Sequence, residues 1–400
     1  MMTATTTVSE ARQRIWDAIV VGAGPAGTVA ALGIVRRGFS VLLVDRSEFP
    51  RHKLCGACLN GDAIAGLREL GVSAAFEQLQ NEVLNQFCLR TGGRSLTLEL
   101  PAGVAVTRSR LDEMLVRSVI KAGVEFIPDL SLELEPTDSD EPLRHLSTTD
   151  RNNSDPLRAR LVIMATGLPA DRHTSDADLA VVPSADSRIG AGTTTNQFPA
   201  EYTPGTIFMA VGRDGYVGLT RTGGNSLNIA AALDRDAVRK SNPQSVCENI
   251  LQEAGFPVTA EMLSGDWRGT IGLTRHRQMP ASTRVLVVGD AAGYVEPFTG
   301  EGMAWAIRGA QAVVPFAVRA IEKWDDRIIE EWTRTSKQLI GRRQRWCRIL
   351  ARLLRHPFVV RSLVRLVTTM PWLGRVVIRQ LNKEHRNEMH GSRTRHSSAT

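Results

Sequence analysis

A turn of six residues, Gly22-Ala23-Gly24-Pro25-Ala26-Gly27, limits what this chain can fold into. It has the spacing G-x-G-x-x-G and follows an apolar run at 17–21 that reads as a buried parallel strand. Residues 26–37 are rich in Ala and Leu and read as a helix, with Gly38 as its stop. A second apolar run at 41–44 ends at Asp45 and Arg46. Strand, glycine turn, helix and strand within about thirty residues make one βαβ unit. Each glycine has a separate task. The first permits the tight turn, the second lets a pyrophosphate approach the backbone, and the third lets helix and strand pack closely. The helix start then offers free N–H groups and a positive dipole end to the phosphates, and Asp45 can bind a ribose hydroxyl. The bland alternative is a purely structural glycine turn. The strand before it, the helix after it and the carboxylate at the next strand end weigh against that.

A second small-residue segment, Gly289-Asp290-Ala291-Ala292-Gly293, follows another apolar run at 284–288. Pro297, Thr299, Gly300, Glu301, Gly302 and Met303 come next, before a predicted helix at 304–321. Small residues suit a loop pressed against a large planar group. Asp290 can accept a hydrogen bond from a ribityl hydroxyl, and the helix after Gly302 can aim its N-terminus at the pyrimidine edge of a flavin. The two segments together point to FAD.

Between these segments the pattern changes. Residues 87–100 alternate around Gly92-Gly93, a hairpin signal. Residues 58–70 and 108–122 read as helices, and 124–127 and 161–164 as strands, the last running into Thr166-Gly167. Residues 137–156 are polar and read as a loop around at most a short strand. Runs at 206–211, 216–220 and 226–232 alternate and suggest an antiparallel sheet. The expected fold is therefore α/β: a Rossmann-like FAD-binding domain (GR2-type), an inserted antiparallel β-sheet substrate domain and a C-terminal helical segment. The expected boundaries are 1–85, 106–167 and 276–330 for the first, 86–105 and 168–275 for the second, 331–390 for a basic helical region and 391–400 for a disordered tail.

On these residues the chain resembles the FAD-dependent family of geranylgeranyl reductases, aromatic-ring hydroxylases and flavin-dependent halogenases. The matching stretches are Gly22 to Gly27 with Asp45; Phe49-Pro50-Arg51 with Lys53 and Cys55-Gly56; Arg110-Leu111-Asp112; Ala165-Thr166-Gly167; and Gly289 to Gly302. Cys55-Gly56 and Thr299-Gly300-Glu301-Gly302 most resemble the geranylgeranyl reductase branch. The resemblance implies Arg110 near the FAD pyrophosphate, Asp290 on the ribityl chain and the Cys55 segment close to the isoalloxazine. It does not carry over substrate identity. The halogenase W-x-W-x-I-P signature is missing, and Gly215-Tyr216-Val217-Gly218-Leu219 lacks the Trp and Phe-Pro that geranylgeranyl reductases often hold in their substrate domain.

Five cysteines do not make a disulfide framework, which suggests a reducing, cytoplasmic setting. Cys55 and Cys58 form a C-x-x-C without a second pair at zinc spacing, so a single functional Cys55 is favoured over a dithiol relay, and no metal is expected. Arg275-His276-Arg277 reads either as a phosphate contact or as a solvated basic loop. No second G-x-G-x-x-G follows a strand, so NAD(P)H would dock only transiently as electron donor.

Charge is segregated. From Glu331 to Thr400 there are 16 Lys and Arg against 3 Asp and Glu, a surplus of thirteen, whereas the whole chain carries +7. Trp346, Ile349, Leu350, Leu353 and Leu354 recur at helical spacing among arginines, and Val359, Val360, Leu363, Val364 and Val367 continue the pattern. Such a pair of helices either lies at the inner face of a membrane as a peripheral contact or caps the substrate pocket. Without a recognised module, no nucleic acid is expected as partner.

Two reactions on a lipophilic or aromatic small molecule stay open. One is reduction of a C=C bond of a prenyl-type compound through reduced flavin. The other is monooxygenation of an aromatic or polyketide substrate with NAD(P)H and O2. A third reading is a membrane-docked flavoprotein electron carrier.

Overall fold

The structure is a computed structural model that describes residues 2–79, 81–137, 141–148, 155–168, 177–296, 298, 300–370 and 372. Parts of the expected 137–156 loop, Pro297, Thr299 and the 391–400 tail lie outside the described residues.

The first sheet has the order Ala281–Ser282, Val285–Val287, Leu157–Met164, Ile15–Val21, Val41–Val44, Glu125–Ile127. All neighbours are parallel except the Ala281–Ser282 edge. Leu132–Leu134 and Arg144–Thr148 extend it as antiparallel strands beside the start of Leu157–Met164. Successive side chains of a strand face opposite ways. Accordingly Ala18 and Val20 enter one core with Leu43, Leu111 and Ile307, whereas Ile19 and Val21 enter another with Leu42, Val44 and Leu132. Both faces are covered, which is why the stretches 18–21, 41–44, 161–164 and 285–287 read as unbroken apolar runs. The helix Pro25–Val35 is buried on almost every side. It crosses the helix Gly302–Glu322 so closely that a Cβ at Gly33 would lie 2.3 Å from a methyl of Val314.

The second sheet has the order Arg268–Gly272, Ile189–Thr195, Ser226–Leu233, Gly215–Thr222, Thr206–Gly212, Glu82–Thr91, Arg94–Ala105, Cys58–Leu59. It is antiparallel except where Thr206–Gly212 runs parallel to Glu82–Thr91. One face, with Phe208, Ile229 and Ala231, packs on the helix Pro243–Ala254. The other, with Leu89, Met209 and Tyr216, meets Leu354, Val360 and Val364 of the C-terminal helices Arg327–Leu353 and Pro357–Thr369.

Two expectations need correction. The helix expected over 58–70 begins only at Gly61, because Asn60 caps it by accepting from the Ala63 N–H at 3.0 Å, and Cys58–Leu59 instead closes the edge of the second sheet. That sheet also claims residues from Glu82, earlier than the boundary at 86. The pairing of the hairpin carries on past an irregularity between Leu84 and Gln86 down to Glu82 opposite Ala105.

Candidate functional site

The turn after the first strand adopts the geometry its glycines permit. Gly22 has φ +106, and a Cβ there would sit 2.4 Å from the Ala165 carbonyl oxygen. Gly27 packs the helix on the turn, since a Cβ would come within 1.8 Å of the Gly22 oxygen. Gly24 differs from both. A Cβ there would meet only the guanidinium ends of Arg51 and Arg108, at 3.3 and 3.5 Å. The space before Gly24 is thus a small bay rimmed by two cationic groups at the start of the helix Pro25–Val35.

Those cations are held from behind. Asp112 is fully buried and accepts from Arg108 Nε and Nη2, both at 2.9 Å, while Arg51 Nη2 lies 3.2 Å from Asp112 and 3.5 Å from Asp45. Lys53 joins them. Burial, with repulsion from Arg108 and Arg51, lowers its ammonium to about 8, against a smaller pull from Asp290. Crowded cations of this kind are relieved by an anion. Two buried polar atoms here, Arg51 Nε and Thr166 Oγ1, have no hydrogen-bond partner. A bay opposite a helix start, three crowded cations and unsatisfied donors fit the pyrophosphate and ribose of a dinucleotide.

Two cavities meet at this cluster, sharing Arg46, His52, Lys53 and Ala165. The smaller, about 150 Å³, holds Gly22, Asp45, Arg51 and Thr166. Asp45 there accepts from the Ala23 N–H at 2.7 Å and the Ser47 N–H at 3.0 Å, which fixes the carboxylate at the end of its strand. The larger, about 880 Å³, brings Gly24, Pro25, Ala26, Arg46, Gly167, Gly289, Asp290, Gly300, Gly302 and Met303 together with Cys55. Residues more than two hundred positions apart in sequence therefore line one space. Burial pushes the Asp290 carboxyl upward, with Lys53 and Arg108 pulling it down.

Two of the sequence-derived residues do not line either cavity. Gly27 serves packing. Arg110 lies off the site and Arg108 stands there instead. The physical reason is helical pitch: Arg108 opens the helix Arg108–Lys121, and a residue two positions later points about 200° away. Arg275 and Arg277 are neither phosphate ligands nor solvated. Both are buried and donate to backbone carbonyls, Arg277 to Ala291 at 2.8 Å and to Leu179, and Arg275 to Leu168. Arg277 braces the loop that carries Asp290, and Arg275 ties its own strand to the Leu168 carbonyl.

Cys55 is half-buried in the wall of the large cavity, and Asn228 of the second sheet holds its carbonyl at 2.9 Å. Cys58 points its Sγ to the Gly56 carbonyl at 3.0 Å, and burial raises that thiol to about 12, so it stays protonated. Among the described residues no group of His, Cys, Asp and Glu is placed to hold a metal ion.

Sequence reading missed a second polar cluster. Tyr216 lines the large cavity, and its hydroxyl hydrogen-bonds Glu296, a carboxyl only 1% exposed. Glu296 lies 3.4 Å from Arg188, itself 1% exposed, and Arg188 reaches Asp234 at 3.0 Å. Burial raises the Tyr216 hydroxyl far above its ordinary value and pushes Glu296 upward against the pull of Arg188. The cluster joins distant segments, so no local spacing marks it. Beyond it the cavity walls are apolar: Phe87, Leu89, Met209, Leu273 and Phe298, closed by Leu354, Val360, Val364 and Val367 of the C-terminal helices.

The sequence profile of the "FAD binding domain" family matches residues 16–315, three quarters of the chain. The chain belongs to this family. It binds FAD, the dinucleotide that the two glycine segments suit. Among curated relatives, conditioned medium factor receptor 1 of Dictyostelium discoideum is 24% identical over 347 residues, 78% of this chain. The chain spans 65% of that relative's length. Digeranylgeranylglycerophospholipid reductase 1 of Methanothermobacter thermautotrophicus is 26% identical over 81% of this chain and 83% of its own length. Among solved structures, a triple mutant of the flavin-dependent brominase Bmp2 aligns with TM-score 0.73 at 16% identity, over 95% of this chain and all of its own, which shows a shared fold. No helix among the described residues is long and apolar enough to cross a membrane.

Proposed function

We propose that this FAD-binding oxidoreductase reduces a carbon–carbon double bond in an elongated, lipophilic small molecule of prenyl type. The observation that carries this reading is the apolar cavity of about 880 Å³, which runs from the flavin-side residues Gly289, Asp290 and Gly302 to aliphatic walls on the second sheet and the C-terminal helices. The Methanothermobacter thermautotrophicus relative, named digeranylgeranylglycerophospholipid reductase 1, supports the same substrate class.

Bound FAD, once reduced, supplies a hydride. The chain supplies the rest. Arg51, Lys53 and Arg108 would hold the pyrophosphate at the bay beside Gly24, and Asp45 would take a ribose hydroxyl. The aliphatic walls exclude water and orient the double bond by shape. Reduction of C=C also consumes one proton. Tyr216 Oη is the protonated donor in the wall of the cavity, and Glu296 behind it is next in line to return the proton. Cys55, in the same wall, contacts the reacting region. Electrons come from NAD(P)H docking transiently.

The test is anaerobic turnover. The yellow protein is mixed without oxygen with NADPH, NADH or neither, and then with polyprenyl or phenolic compounds. Bleaching by a nicotinamide, followed by reoxidation on adding a polyprenyl compound, is the expected result. Product formed only when oxygen is admitted, and only from phenolic compounds, overturns the reading in favour of monooxygenation.

A further inference from the structure

The C-terminal helices present apolar side chains on two sides. Val360, Val364 and Val367 face the cavity. Val359, Leu363, Leu366 and Met370, spaced by four, three and four positions, form an outward stripe on the same helix and are exposed. Phe358 is 79% exposed beside that stripe, and Trp346 of the preceding helix is 58% exposed, with Ile349 one turn on. No other part of the described surface carries large exposed hydrophobics so densely. Elsewhere they stand singly, at Ile15, Val83, Val182 and Ile271.

The charge around this stripe selects its partner. Between Trp332 and Met370 there are ten Lys and Arg and no Asp or Glu. Arg345, Arg352 and Arg365 are exposed on the same helices, and Arg361 lies over the Phe358 ring at 5.5 Å. Exposed aromatic and aliphatic side chains whose charged neighbours along these helices are all cations match a surface whose interior is apolar and whose face is negative, while Arg355 is turned to Asp234 of the body. An acidic protein would satisfy the arginines yet leave Phe358 and Trp346 to find individual pockets. A second copy would bring ten more cations against these ten.

We infer that this helical pair docks the protein on an anionic lipid bilayer, with Trp346, Phe358 and Leu366 entering the interface and the arginines among the headgroups. Docking stands independently of the reaction. If the lipophilic substrate proposed above is right, docking also supplies its route. Leu363 both lines the cavity and is 44% exposed, so the cavity wall is thin where the bilayer would lie.

Full-length FAD-loaded protein is floated with vesicles of phosphatidylcholine alone and of phosphatidylcholine with phosphatidylglycerol. The wild type is expected to float with the mixed vesicles and to be released by high salt. Phe358→Asp with Leu366→Asp should weaken partitioning by about tenfold or more. Arg345→Gln with Arg352→Gln should weaken it roughly thirtyfold on the mixed vesicles. None of these side chains lines the cavity, so retained yellow colour and an unchanged melting temperature report an intact fold. Wild type that stays in solution with the mixed vesicles, or variants that float as the wild type does, overturn the inference. A dimer in light scattering that the Asp variants dissociate, without vesicle binding, assigns the face to a second copy and overturns it too. Vesicle binding with no turnover of any polyprenyl compound leaves docking intact and removes the substrate reading alone.

Discussion

Lys53 makes the cofactor site sensitive to pH in a way that can be worked out from its surroundings. In the protein without FAD its ammonium falls from 10.5 to about 8, through burial first and repulsion from Arg108 and Arg51 second. The folded pKa is depressed, so between about 8 and 10.5 the unfolded chain holds more protons than the folded one. Apoprotein stability must therefore rise with pH across that window, by at most about 3 kcal/mol at 1.36 kcal/mol per pH unit. FAD acts in the opposite direction. A pyrophosphate placed before Gly24 favours the charged ammonium and returns Lys53 toward its ordinary value. Above pH 8, binding must then take up a proton, and affinity declines. With the two values at about 8 and 10.5, the FAD Kd at pH 9 should be about tenfold higher than at pH 7. Titration of apoprotein into FAD, followed by flavin fluorescence, measures this. Lys53→Gln should bind more weakly at pH 7 and lose the dependence. A Kd that is flat from pH 7 to 9, or a dependence that survives in Lys53→Gln, would refute the placement of Lys53 at the pyrophosphate.

Further outcomes follow from named contacts. Gly24→Val should fold normally and fail to retain FAD, because the new side chain fills the bay between Arg51 and Arg108; a yellow purified variant would contradict the cradle. Gly27→Ala should instead destabilise the fold by roughly 1–3 kcal/mol or more, read by thermal unfolding, since its Cβ cannot fit against the Gly22 oxygen. Tyr216→Phe should keep FAD and lower turnover of a double-bond substrate by about 10²-fold or more. Glu296→Gln should shift the pH profile of turnover while leaving FAD content unchanged, and an unmoved profile in this variant would reduce the pair to packing. Cys55→Ser should retain FAD and alter turnover; unchanged kinetics would make the thiol part of the wall only.

The parts legible in the sequence were those where chemistry is local. A strand buried on both faces must be a continuous apolar run, and a turn that admits a pyrophosphate must be built of glycine at fixed spacing, so Gly22 to Gly27, Asp45 and the loop at Gly289 stood out unaided. Alternation around Gly92-Gly93 marked a hairpin for the same reason. Which arginine lines the cavity was not legible, because helical pitch decides between Arg108 and Arg110 and the two are the same residue type. Tertiary structure alone placed Arg51, Lys53 and Arg108 around one bay, buried Arg275 and Arg277 as braces and set Tyr216 against Glu296 across eighty positions of chain. It also decided the position of the C-terminal helices. Their amphipathic pattern announced an apolar side, but long-range packing divided that side between the wall of the cavity and the outside. Local spacing reports the period of a pattern, whereas only the folded chain determines what each face meets.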